Sequence, residues 1–180
     1  MLILLIGPKG SGKSHVGRLL ESALGLHFFQ VEPLWMKYYE DCKNEGRDPV
    51  ISEGVARIHP KIKESLREHQ HVCVETVGAS KEILDDLLHL DSQSPPLLVR
   101  VDAPLSLCLV RIESRDPRQQ IPSNLDTIYK SYELSRRIEL PFDIVLQNAF
   151  LTPDQILEPF KKVLLPGNVR QYDRRFDPGN

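Results

Sequence analysis

The N-terminal stretch constrains the fold more than any other part of the chain. Residues 1–6 (MLILLI) form an unbroken apolar run of the length expected for a buried parallel strand. They lead straight into Gly7-Pro8-Lys9-Gly10-Ser11-Gly12-Lys13-Ser14, which satisfies G-x-x-x-x-G-K-[ST]. Val16, Leu19, Leu20, Ala23 and Leu24 then recur at helical spacing. A strand feeding a glycine turn feeding a helix is the geometry that wraps backbone N–H groups around a polyphosphate. The helix N-terminus adds unpaired donors and its positive dipole end, a lysine reaches the β and γ phosphates, and a hydroxyl binds magnesium. The motif thus assigns residues 7–14, with His15 behind them, to nucleotide binding, Lys13 to the phosphates and Ser14 to the metal.

With 180 residues, 41% hydrophobic and 27% charged, the chain reads as one ordinary globular domain able to bury a core without staples. A formal net charge of -2 gives no general basic field for nucleic acid. Cys42, Cys73 and Cys108 lie far apart with no C-x-x-C pair, which argues against a zinc site or disulfide framework and suits a reducing cytoplasm. No histidine spacing matches a metal-ligand pattern, the opening apolar run is too short for a signal core, and no stretch approaches a membrane span.

Along the chain, Gly25 ends the first helix and residues 27–31 (HFFQV) predict a second strand with Glu32 at its carboxyl end. Residues 33–69 predict a helical flap. Its first helix carries Trp35, Tyr38 and Tyr39, aromatics that suit core packing, and its second starts after Ser52 as N-cap and is bent or interrupted near Pro60. Residues 71–76 (HVCVET) are a third strand, apolar until Glu75, where a carboxylate can hold the magnesium shell or orient a water. The turn Val77-Gly78-Ala79-Ser80 allows close backbone approach and supplies an N-cap to a helix lined by Ile83, Leu84, Leu87 and Leu88.

After Pro95-Pro96, residues 97–101 predict a fourth strand ending at Asp102, then a helix that carries Arg111 and Arg115 on one face. Residues 114–123 (SRDPRQQIPS) read as a mobile surface loop that adds Arg118, so 115–123 are a candidate lid. Arginines on such a loop can neutralise charge that develops during phosphoryl transfer; the alternative is Arg115 paired with Asp116 or Glu113 on a solvated face. Asn124 caps a helix through Leu140, residues 142–146 (FDIVL) form a fifth strand followed by Gln147-Asn148-Ala149, and a last helix starts at Thr152-Pro153 and runs to about Leu165. Residues 166–180 read as an extended or disordered tail after a domain of residues 1–165.

Five strands alternating with helices predict a three-layer α/β/α sandwich around a parallel sheet. Right-handed crossovers then place the glycine loop, Glu32, Glu75 and Asp102 along one sheet edge, where ligands bind.

In this order of elements, residues 1–163 resemble the small phosphate-loop kinases: nucleoside monophosphate kinases, shikimate kinase and gluconate kinase. The resemblance implies strand order 2-3-1-4-5, a lid between strands four and five, and ATP with Mg²⁺ as phosphoryl donor. Arg111 and Arg115 resemble the R-x-x-x-R of adenylate kinase, which implies that Arg111 stacks on adenine and Arg115 bridges the transferring group; Asn148 falls in the turn near adenine. Shikimate kinase carries D-x-D after strand two, where this chain has Gln30-Val31-Glu32, and a triple glycine after strand three, where it has Val77-Gly78-Ala79. The arginine ahead of its tyrosine-glutamate pair is Ile128 here. These departures point away from shikimate and leave the acceptor open, as a small molecule or a nucleotide. The site then consists of Lys13, Arg115 and Glu32 as catalytic groups, Glu32, Arg57, Gly78 and Arg118 around the acceptor, and Ser14 with Glu75 on the metal. The alternative function is an NTPase or nucleotide switch without an acceptor. Guanine specificity is disfavoured because N-K-x-D is missing after strand five, where Gln147-Asn148-Ala149-Phe150 stands.

Overall fold

In the computed structural model, which describes residues 1–91, 94–121 and 123–164, each face of one twisted sheet is packed by helices. The elements run β1 (Leu2–Ile6), α1 (Lys13–Leu24), β2 (His27–Phe29), α2 (Glu32–Asn44), α3 (Ile51–Glu68), β3 (Val72–Thr76), α4 (Lys81–Leu88), β4 (Leu97–Asp102), α5 (Leu105–Glu113), a 3₁₀ turn (Pro117–Gln119), α6 (Leu125–Arg136), β5 (Ile144–Gln147) and α7 (Pro153–Leu164). All strand pairs are parallel and the order is β2-β3-β1-β4-β5, as the alternation and the resemblance predict. The predicted tail of residues 166–180 lies outside the described residues.

Central β1 divides its side chains by the two-residue period of a strand. Ile3 and Leu5 face a core shared with Val16 and Leu20 of α1 and Ile156, Leu157 and Phe160 of α7. Leu2, Leu4 and Ile6 face the opposite core with Ile58 and Ile62 of α3 and Leu84 and Leu87 of α4. Both faces are therefore apolar, and the sequence of β1 reads as a continuous run rather than an alternation.

Four boundaries differ from the sequence reading, each for a local reason. β2 stops at Phe29, because it pairs only with β3 over His27, Phe28 and Phe29, so Glu32 opens α2 instead of ending the strand. Pro33 fits there, since first-turn N–H groups have no intrahelical acceptor.

Helix α3 starts at Ile51, with Val50 rather than Ser52 as its cap. The Tyr38 hydroxyl accepts from Val50 N at 2.8 Å and donates to Val50 O at 2.8 Å, which anchors the residue that opens the helix. Pro60 does not interrupt the helix, which runs through it. Burying Ile58 and Ile62 contributes about 3–6 kcal/mol together, against roughly 3 kcal/mol for an interior proline; Pro60 itself is exposed.

Helix α6 ends at Arg136, short of Leu140, because Arg100 of β4 donates to Arg136 O (3.0 Å) and Ile138 O (3.1 Å) at its C-terminus. Leu140 and Phe142 are thereby freed to pack on the sheet, and β5 begins at Ile144. Asp143 closes the strand's entry by accepting from Leu98 N at 2.9 Å.

Candidate active site

The glycine loop joins β1 to α1 at the carboxyl edge of the sheet, and four neighbours fix its path. Gly7 N donates to Thr76 O on β3, and a Cβ at Gly7 would run into Val101 O on β4. Gly10 and Gly12 have φ of 83° and 97°, left-handed values that cost a residue with a Cβ about 1–2 kcal/mol. A Cβ at Gly10 would strike the backbone of Cys108, and one at Gly12 the amide of Asn148. Only glycine fits, and the turn leads into the N-terminal N–H groups of α1.

Those N–H groups suit an anion. Helix α1 opens without a side-chain cap and without an acidic residue in its first turn, so nothing competes for its N-terminal donors. Ser11 Oγ is buried with no hydrogen-bond partner. His15 is exposed on the first turn. The buried Lys13 Nζ donates to Gly7 O (2.8 Å) and Pro8 O (2.9 Å). Burial pushes its ammonium pKa down, Glu75 and then Glu32 partly oppose that, and Arg115 adds to it.

Parallel pairing sets Glu75 beside Leu5 at the top of β3, and from there it reaches across to α1. Ser14 Oγ lies 3.0 and 2.9 Å from the two carboxylate oxygens of Glu75. A hydroxyl and a carboxylate are hard oxygen donors, and two protein ligands are what magnesium takes while keeping most of its waters. The residues therefore fit that ion.

Arg111, in the last turn of α5, braces the loop rather than an acid: its guanidinium donates to Ser11 O (3.2 Å), Gly10 O (3.4 Å) and Asn148 O (3.1 Å). Asn148 Nδ2 donates to Ser11 O at 2.9 Å, while Asn148 N donates to Asp102 O at 2.7 Å. The turn after β5 is thus bonded to the glycine loop through both residues. Arg115 lies just past α5, half-buried, close enough to depress the pKa of both Lys9 and Lys13.

The lid predicted at 115–123 meets the loop through its backbone. Lys9 Nζ donates to Ile121 O (2.6 Å) and Ser123 Oγ (3.0 Å), and Glu32 Oε1 accepts from Ile121 N (3.1 Å). One residue, Ile121, is gripped on its carbonyl by a loop lysine and on its N–H by the glutamate that opens α2. Burial lowers the Lys9 pKa, with Glu32 opposing and Arg115 reinforcing the shift.

Two of the residues expected around the acceptor are engaged elsewhere. Arg57 pairs with Asp41 at 3.2 Å and lies over the Tyr38 ring, inside the flap. Arg118 is exposed and pairs with Asp116 at 3.2 Å, so the solvated pair proposed for Arg115 belongs to Arg118. Gly78 follows β3 with φ 71°, where a Cβ would meet Ile138.

Between flap and sheet lies a cavity of about 30 Å³ lined by Trp35, Ile58, His59, Ile62, Glu75 and Thr76 among others. His59, Thr76 and Ile121 carry no local sequence signal for a site. Tertiary packing alone brings His59 to the cavity and Thr76 and Ile121 to the loop.

No model of a known protein family matches the chain. It is 30% identical over 174 residues to the shikimate kinase of Aquifex aeolicus, covering 92% of this chain and 95% of that one. The crystal structure of shikimate kinase from Aquifex aeolicus superposes with a TM-score of 0.50 at 27% identity, covering 89% of this chain and 93% of that chain. A gluconokinase from Sinorhizobium meliloti shares the fold, with a TM-score of 0.60 at 21% identity over 87% of each chain. A relationship that extends over nearly the whole length of both chains, together with a complete phosphate-binding loop, means that this chain belongs to the shikimate kinase family of small phosphate-loop phosphotransferases.

Proposed function

We propose that the protein transfers the γ phosphate of ATP, in line, to a hydroxyl of a small acceptor held under the flap of residues 33–69. The observation that carries this reading is the Ser14–Glu75 pair, at 2.9 and 3.0 Å, beside the buried Lys13. Phosphoryl transfer needs positioning and charge neutralisation more than covalent chemistry, and these residues supply both.

Backbone donors of residues 7–14 would hold the polyphosphate, with Lys13 on its β and γ phosphates. Ser14 and Glu75 would hold Mg²⁺, which when bound screens the charge between those phosphates. Arg111 and Asn148, bonded to the loop and to each other, would border the adenine. Arg115 would neutralise charge on the transferring group, for which its place beside Lys9 and Lys13 suits it.

Glu32 takes a double role. Its Oε1 ties Ile121, and with it the lid of 115–123, to the flap; its Oε2 would orient or deprotonate the acceptor hydroxyl. Excluding water is the use of such a lid. Buried free cysteines suit a reducing cytoplasm, and among the described residues no helix is long and apolar enough to cross a membrane.

The test is incubation of the protein and Mg²⁺ with γ-labelled ATP and a pool of hydroxylated metabolites. Label is expected in an organic product. Label released only as free phosphate would replace this reading with a nucleotide hydrolase or switch.

A further inference from the structure

Resting on the kinase reading above, we propose that Lys9 is a contact for the terminal phosphate that the loop motif itself does not call for, and that its ammonium carries that contact to the lid. The lid of 115–123 then fastens on a nucleoside triphosphate and not on a diphosphate. Lys9 stands at the second variable position of G-x-x-x-x-G-K-[ST], where the motif sets no side chain.

Its backbone is held from both sides. Pro8 O accepts from Lys13 Nζ (2.9 Å) and from Ser11 N (3.2 Å), and Gly10, at φ 83°, lies against the backbone of Cys108. Lys9 is therefore mounted on a fixed turn, and its side chain alone is free to choose partners. Lys13 turns back onto the loop carbonyls, whereas Lys9 reaches across to the lid.

The partners Lys9 has taken are both neutral. Its Nζ donates to Ile121 O (2.6 Å) and Ser123 Oγ (3.0 Å), and among the described residues it forms no ion pair. An ammonium carries three N–H groups, so one is left for a further acceptor. A phosphate oxygen, with its full negative charge, is a stronger partner for this half-buried cation than either oxygen it now holds.

The surrounding charges favour the same ligand. Arg115 acts on both Lys9 and Lys13 as a like charge, and Glu32 acts on both as an opposite one. Glu75 also opposes the Lys13 charge, but it is bonded to Ser14, and Glu32 is bonded to Ile121 N. Three cations thus meet two carboxylates that are already engaged, and one positive charge is unmatched until an anion enters. Lys13 serves the β and γ phosphates from within the loop, and Lys9 meets the γ phosphate from the lid side. Because Lys9 holds the carbonyl of Ile121 and Glu32 its N–H, an ammonium fixed by the γ phosphate steadies the lid at that residue.

The test compares a non-hydrolysable ATP analogue with ADP, each with Mg²⁺ and without an acceptor, in the wild type, Lys9→Met and Lys9→Arg. By calorimetry, Lys9→Met should weaken binding of the analogue at least tenfold and of ADP less than threefold, while Lys9→Arg, which keeps the charge, retains most of the preference for the analogue. In the wild type the analogue should slow hydrogen exchange of the Ile121 amide at least fivefold more than ADP does, and in Lys9→Met the two nucleotides should give equal rates. Equal losses of affinity for both nucleotides in Lys9→Met would show that Lys9 only shapes the loop, and a triphosphate-dependent slowing that survives in that variant would place the sensor elsewhere; either result overturns the proposal. Binding and exchange are read without turnover, so release of free phosphate alone in the labelled-ATP assay would refute the kinase reading and leave this result standing.

Discussion

Lys13 shows how one side chain joins stability to function. Its ammonium is buried among carbonyls, with a pKa below the usual 10.5 chiefly because of burial. Between that lowered value and 10.5 the unfolded chain binds more protons than the folded one, so this residue makes stability rise with pH across the window; below it, the penalty for the buried charge is constant. Lys13→Met should abolish phosphoryl transfer while the protein still folds. The stability of the wild type relative to that variant should increase from pH 7 to pH 10 in denaturant titrations, and a difference that does not change with pH would show that the ammonium is not desolvated. The loop motif is visible in the sequence because its chemistry is local. What Arg57 and Arg118 do is not, since a guanidinium takes whichever carboxylate the fold brings near, here Asp41 and Asp116.

At the scale of elements, packing overrules propensity. Helix α3 keeps Pro60 because Ile58 and Ile62 are buried on the sheet. Pro60→Ala should therefore raise stability by about 1–3 kcal/mol, read from chemical denaturation, since it restores a backbone bond on an exposed face without touching the core. The lid is held by two charge-assisted bonds to one residue, Lys9 to Ile121 O and Glu32 to Ile121 N. Removing either in Glu32→Ala or Lys9→Met should speed hydrogen exchange of the Ile121 amide about tenfold or more, while β3 amides stay unchanged. Equal rates in wild type and both variants would mean that the lid is held by something else. The caps at Gly25, Ser80 and Asn124 and the start of α7 follow from turn and cap residues in the sequence, whereas the strand order came from the family resemblance. The end of α6 does not, because it depends on Arg100, which is distant along the chain.

For the whole molecule, burial controls the cysteines. Cys42, Cys73 and Cys108 are all buried and free, and burial pushes the Cys73 and Cys108 thiols up, away from the reactive thiolate. The native protein should leave all of them unmodified by a thiol reagent at pH 8 and release them together in denaturant; fast labelling of the native form would contradict the packing of β3 and α5. By itself the sequence determined the alternation of strands and helices, the parallel sheet and the phosphate cradle, since each rests on residues adjacent along the chain: an apolar run, glycines at fixed spacing, a helix start. Only the tertiary structure decided that Glu75 meets Ser14 and that Glu32 holds the lid. Those contacts join residues tens of positions apart, and which side chains meet there is set by sheet register and core packing, which no local pattern encodes.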